Sequence, residues 1–414
     1  MTSKPVSLTI GLFCQILMVA TLGQLTADFY LPSLPNIAQD LTTSSGSVQL
    51  TLAAYMLGFS LSQLVYGPLS DRIGRKPPIL LGIGLSLFGA LICMSSVSIN
   101  MLIAGRFFQG IGLGACNSVG RSLSRDFLSG NELARVGSYM GIVSAFMLAL
   151  APTLGGYVQH YLSWRTGFAI LSCYTLIIWL ALWYFLPETH HRRNPLATRF
   201  PVIIKNYFTL LTHKTFLGYS VCSSMAYAGL AAYLTATPFL MRNILHLTAI
   251  EFGWLSLCTA GALCTSAFIN GRLVMRFGYA NMLRVGVIIM LTGSVLLFVF
   301  NTLGTISVFN VMLPITIFAL GTGFSFQNAF AGAFQSFPHI AGSAGALYGF
   351  IQILGGSLSS TLVAHLHESN ALPLAVVLFS FGFLSLLSWK FLAAVPVESE
   401  VETTYAENTT VSEV

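Results

Sequence analysis

Two charged residues, Asp28 and Arg106, stand inside long apolar stretches of a chain that otherwise keeps its charges near or beyond the ends of them. A carboxylate taken out of water is costly in its charged form, so such a group can take up and release a proton as its surroundings change. Asp28 is the acid, and Arg106 the base, set deepest inside a predicted span. Asp28 lies near the end of its apolar run and Arg106 near the start of its own. The two helices run in opposite directions, so the charges fall at similar depth. Opposite charges at one depth point to a pair that forms when Asp28 is ionised and parts when it is protonated. A fixed helix–helix clamp is the competing reading of the same two residues.

A second group of charges sits on a predicted turn, Gly67-Pro-Leu-Ser-Asp71-Arg72-Ile-Gly74-Arg75-Lys76-Pro77. Gly67 and Gly74 permit close helix approach and a sharp reversal. Asp71 can pair with an arginine and favour a neighbouring helix N-terminus. This makes the loop a candidate gate, with Arg121 at the inner end of the fourth span as a possible partner. Pro152, Gly155 and Gly156 form a helix-breaking and small-residue stretch suited to a hinge or a tight helix contact. No metal site is expected, because the eight histidines and seven cysteines show no ligand spacing. No phosphate-binding glycine loop or nucleophile–base constellation stands out, so the chain is read as neither an ATP-driven pump nor an enzyme.

The elements that must position these groups follow from composition. Of the 414 residues, 55% are hydrophobic and 8% charged, and the mean hydropathy is +0.78. A soluble domain carries about a quarter charged residues. Soluble enzymes and nucleic-acid-binding modules are therefore excluded, leaving an all-α membrane protein. Apolar runs at 9–30, 46–68, 78–98, 101–123, 136–158, 164–186, 215–237, 250–271, 280–300, 305–327, 342–364 and 371–393 give twelve predicted spans.

With both termini inside, sixteen of the nineteen Lys and Arg fall on the cytoplasmic side. Only Arg165 and Arg242 fall on the other. The chain then divides into a six-helix bundle (1–186), a basic cytoplasmic loop (187–214), a second six-helix bundle (215–395) and an acidic, disordered cytoplasmic tail (396–414). The halves repeat. Gly67, Leu69, Arg72 and Gly74 recur as Gly271, Leu273, Arg276 and Gly278. Each set lies between the second and third spans of its half, the pattern of a parallel-repeat transporter.

The loop 67–77 resembles the signature of the major facilitator superfamily. Leu102-Ile-Ala-Gly-Arg106-Phe-Phe-Gln109-Gly110-Ile-Gly112-Leu-Gly114 is similar to that family's fourth-span motif. Ala151-Pro152-Thr-Leu-Gly155-Gly156 looks like the fifth-span motif of its antiporter branch, with Ala151 where Gly is usual. Leu186-Pro-Glu-Thr189 looks like the usual end of the sixth span. Asp28-Phe-Tyr-Leu-Pro-Ser-Leu-Pro35 and Thr237-Pro-Phe-Leu-Met241 are similar to the Bcr/CflA drug-resistance branch. The second-half loop departs from the pattern, with Met275 in place of Asp71.

The resemblance implies two pseudo-symmetric six-helix bundles around a cavity. It also implies proton-driven export of small amphipathic molecules, drugs or metabolites, across the inner membrane. No cofactor is expected beyond the proton gradient. The expected partners are substrate, protons and lipid, and the expected state is a monomer. Tyr30, Tyr55, Gln109, Asn117, Tyr233 and Phe326 are the candidate cavity residues, because apolar surface with a few polar groups is how a small-molecule site is built. Proton-coupled import, export of one endogenous compound such as a siderophore, and a transporter-like sensor are the alternative readings.

Overall fold

The computed structural model describes residues 10–127, 130–189, 198–303, 307–337, 340–366 and 371–393. Among them fourteen helices follow in order: α1 (Ile10–Asp28), α2 (Leu34–Asp40), α3 (Ser45–Ile73), α4 (Lys76–Met94), α5 (Ile99–Phe127), α6 (Gly130–Tyr161), α7 (Trp164–Phe185), α8 (Phe200–Thr212), α9 (Lys214–Asn243), α10 (Ala249–Phe277), α11 (Tyr279–Thr302), α12 (Val308–Gln335), α13 (Ala341–Ala364) and α14 (Leu372–Ser388). All but α2 and α8 coincide with the twelve predicted spans. Nine are long and apolar enough to cross a membrane by length and composition alone. Large apolar side chains such as Leu81, Phe88, Ile177, Phe268 and Phe383 are exposed on their outer faces. In water that would be a liability; against lipid it is the expected solution.

Local chemistry sets the helix limits. Ser44, Ser163 and Ser307 accept from backbone N–H groups three residues on, and Thr248 with Glu251 forms a capping box. These caps satisfy donors that would otherwise be orphaned at each N-terminus. At the other end, α3 and α10 stop at Gly74 (φ 104°) and Gly278 (φ 76°). Both glycines adopt a backbone conformation that side chains disfavour. They form one of the four matched pairs of the repeat read from the sequence.

The repeat extends into packing. In the first half, Gly82 of α4 and Gly112 of α5 are so close that a Cβ on either would lie within 2.5 Å of the other's carbonyl oxygen. In the second half, Gly286 of α11 and Gly321 of α12 meet in the same way, at 2.9 and 2.5 Å. The halves then join along α3 against α13 and α6 against α10. These are the second span on the eleventh and the fifth on the eighth, which a two-fold exchange of halves would interconvert.

Two elements depart from the sequence reading. The connection 187–214 was read as a loop, but residues 200–212 form α8. Pro201 in its first turn is compatible with a helix start, because that position needs no intrahelical donor. A 3-10 turn (Leu31–Ser33) and the short α2, neither of them among the predicted spans, follow α1, and their Leu31, Pro32, Leu34, Pro35 and Ile37 are buried.

Candidate functional site

Arg106 is fully buried, and its surroundings are built from three helices. Its guanidinium carbon lies 4.2 Å from the ring centroid of Tyr30 and 4.3 Å from that of Tyr55. A flat cation between two aromatic faces is held by the ring quadrupoles, an interaction that strengthens out of water. Nη1 donates to the Thr26 carbonyl at 3.1 Å and to Gln109 Oε1 at 2.8 Å. Nε and Nη2 have no hydrogen-bond acceptor. The rings are pinned in turn. Tyr30 Oη and Thr51 Oγ1 are 3.0 Å apart, and Tyr55 Oη donates to the Gly23 carbonyl at 2.7 Å.

Asp28 is equally buried, at 1% exposure. It forms no ion pair with Arg106 in this structure; its carboxylate accepts from Gln24 Nε2, one turn back on α1. The two charges are therefore brought into one layer, linked through Thr26, but held by different partners. Gln24 was not among the residues read from the sequence. Its position four residues before a buried acid, on the same helix face, was the available signal.

A cavity of about 500 Å³ lies beside this layer, between the halves. Of the candidate cavity residues, Tyr55, Asn117 and Phe326 line it. Gln24, Tyr227, Gln327, Tyr348 and Gln352 join them. Tyr30, Gln109 and Tyr233 do not line it. Tyr30 and Gln109 are consumed in holding Arg106, and Tyr233 is buried within α9, where nearly every residue from Ser220 to Met241 is covered. Tyr55 and Gln24 thus have two faces: each lines the cavity, and each touches one member of the charged layer.

On one side of the cavity the halves are sealed. Across the halves a Cβ on Gly156 would fall 2.4 Å from the Ala249 carbonyl oxygen, and within the first half one on Gly155 would fall 1.7 Å from that of Phe29. Only glycine admits backbones this close. Thr153 Oγ1 donates to the Gly253 carbonyl at 2.9 Å, and Arg242 donates to Asn36. Pro152 lies within α6 next to these contacts. On the same face Asp40 accepts from Trp164 Nε1 at 3.0 Å and pairs with Arg165. Those hydrogen bonds, Arg165's foremost, hold its carboxyl below the usual carboxylate range.

The opposite end carries the basic loop. Asp71 pairs with Arg75 at 2.6 Å, one turn away, and Arg75 also donates to Ser70 Oγ at 2.8 Å. Arg72 donates to Thr198 Oγ1 at 2.9 Å. Gly67 and the Ala346 side chain of α13 approach there, and Asp71 faces Gly342 near the start of α13. The Arg121 side chain lies outside the described residues. The loop is organised by a residue to which the sequence reading gave no role, Glu188. Its two oxygens accept from the backbone N–H of Arg75 at 2.8 Å and of Lys76 at 3.2 Å, capping α4. An acid just past the sixth span, beside a basic segment, was the signal.

Among the described residues no cluster of His, Cys, Asp or Glu could hold a metal. The arrangement combines a face where the halves meet closely, an opposite face carrying the basic loop, a cavity between the halves, and a charge layer touching that cavity.

Comparisons with known proteins agree. The chain is 30% identical over 386 residues to "Multidrug resistance protein D" of Escherichia coli (strain K12), covering 93% of this chain and 96% of that one. It is 30% identical to the "Bicyclomycin resistance protein homolog" of Haemophilus influenzae, covering 91% and 96%. The fold matches the crystal structure of a D-xylose–proton symporter with a TM-score of 0.72 at 18% identity, covering 92% of this chain and 98% of that one. A family model described as Major Facilitator Superfamily matches residues 9–360, and the chain belongs to that family of membrane transporters.

Proposed function

We propose that this secondary transporter exports small amphipathic molecules, drugs or drug-like metabolites, in exchange for protons. One observation carries the reading. Asp28 is buried beside the cavity and held by neutral Gln24, while Arg106 is held by two tyrosines and Gln109. Protonation of Asp28 removes its attraction to Arg106; loss of the proton restores it. One residue after Asp28, Phe29 packs its carbonyl against Gly155 of α6 within the same half. A change in the pull on the end of α1 therefore reaches the contacts between the halves through α6, whose Gly156 meets Ala249 and whose Thr153 bonds to Gly253. Substrate enters the same balance through Gln24 and Tyr55, because binding in the cavity competes for their side chains.

The basic face, bearing Arg72, Arg75 and Lys76, is cytoplasmic in this reading, as are both termini, and the membrane is the inner one. The structure then corresponds to a state closed to the outside. The printed names of two relatives, one for multidrug and one for bicyclomycin resistance, support a drug-like substrate. Asp71, Arg72, Arg75 and the glycines Gly67 and Gly74 gate the cytoplasmic side, with Pro152 and Gly155–Gly156 as the pivot of the outer one.

The test is accumulation of labelled bicyclomycin and chloramphenicol in everted vesicles carrying the protein. Acidifying the lumen should drive uptake above protein-free vesicles, and an uncoupler should abolish it. Uptake of neither compound, or uptake indifferent to the uncoupler, rejects the proposal.

A further inference from the structure

Helix α8 exposes an apolar stripe that no other part of the described chain covers. Ile204 is 48% exposed, Phe208 68% and Leu211 45%. Their spacing of four and three residues places them on one face of the helix. The opposite face is fixed to the protein. Leu210 is buried, Tyr207 Oη donates to the Leu64 carbonyl of α3 at 3.2 Å, and Asn206 Nδ2 donates to Ser343 Oγ of α13 at 3.3 Å. Beside the stripe lie the exposed Lys205 and Thr209, with Arg199 and Lys214 exposed at the two ends. The sequence contains no acid between Glu188 and Glu251, while Arg192 and Arg193 add two more positive charges just upstream.

Only His213 separates α8 from α9, so the stripe stands at the membrane edge of the basic face. A helix with a narrow apolar face, cationic neighbours and no acids matches the boundary between headgroups and acyl chains of an acidic leaflet. We propose that α8 is a docking surface for acidic phospholipid. Ile204, Phe208 and Leu211 sit in the acyl boundary, and Arg199, Lys205 and Lys214 lie against headgroup phosphates. Because its other face bonds to both α3 and α13, a lipid-held α8 clamps the junction of the two halves at the gated end. This role is independent of the substrate and of the proton.

The test places the photo-cross-linking residue p-benzoylphenylalanine at position 208, or at position 209 on the polar face, in the otherwise intact chain. The protein is reconstituted in nanodiscs of phosphatidylcholine mixed with phosphatidylglycerol. Mass analysis should find lipid adducts from position 208 and few from 209. Phosphatidylglycerol should be enriched several-fold over its share of the bilayer, since each basic residue near an anionic surface is worth a factor of about five. The enrichment should fall in R199Q/K205Q while the lipid adducts persist. Adducts to protein alone, equal lipid adducts from both positions, or adducts that merely follow bilayer composition would overturn the proposal.

Discussion

Gln24 donates a hydrogen bond to Asp28 and at the same time forms part of the cavity wall. In the proposed mechanism the proton site and the substrate site therefore share a side chain. A hydrogen bond to a charged group contributes about 1.5–3 kcal/mol, enough to bias a balance between two conformations. In Gln24→Ala the cavity gains space but its link to Asp28 is cut. Gradient-driven accumulation should fall about tenfold, the equivalent of about 1.4 kcal/mol in that balance, with substrate binding changed by less than about threefold. Parallel binding and vesicle-uptake measurements check this; an equal loss in both would place Gln24 in substrate recognition only.

Arg106 makes a separate prediction because its charge and its shape do different things. Arg106→Lys keeps the charge but cannot lie flat between Tyr30 and Tyr55. It should lower the stability of the detergent-solubilised protein by about 2 kcal/mol, the scale of a desolvated cation–π contact. Slow gradient-driven transport should remain. Arg106→Gln removes the charge as well and should lose gradient-driven transport. Thermal unfolding and vesicle uptake, measured on both variants, separate the two roles.

The cavity lining predicts a contrast between two aromatic residues. Phe326 lines the cavity and Tyr233 is buried away from it. Phe326→Ala should weaken substrate binding about tenfold, the scale of one lost aromatic contact. Tyr233→Phe should leave it within about twofold, since truncating a hydroxyl outside the site removes no ligand contact. Isothermal binding on purified protein reads both.

Acid should destabilise the first half through Asp40, which Trp164 and Arg165 hold. Its folded carboxyl is held below the usual range by Arg165 and Trp164. A group depressed on folding contributes stability that is fully present above its unfolded value and is lost as pH falls through its folded value. The thermal midpoint of the wild type should thus drop more steeply below about pH 4 than that of Asp40→Asn. Matching slopes would show that the Asp40 contacts do not stabilise the fold.

Much of this was legible in the sequence for identifiable reasons. A buried charge in an apolar run has few uses, so Asp28 and Arg106 stood out, and the structure brings them into one layer. Gly74 and Gly278 repeated because the same turn is needed twice. Less legible was anything set by which helix face meets which neighbour. Tyr30 and Gln109 have the composition of cavity residues, but the helix rotation turns them onto Arg106. Tyr233 looks no different in sequence from Tyr227, yet only Tyr227 reaches the cavity. Helix α8 was hidden because its residues are few, flanked by charges and too short to span. Glu188 was hidden because its function is to accept two backbone donors from a loop 112 and 113 residues away, a relationship no local pattern encodes.

The central claim is that Asp28 carries the proton and that the cavity binds substrate without it. The most direct test compares two assays on Asp28→Asn in proteoliposomes: uptake driven by an imposed pH gradient, and exchange of labelled for unlabelled substrate with no gradient. The account predicts that gradient-driven uptake is lost while exchange continues near the wild-type rate. Gradient-driven uptake at the wild-type level in Asp28→Asn would contradict it and place the proton elsewhere.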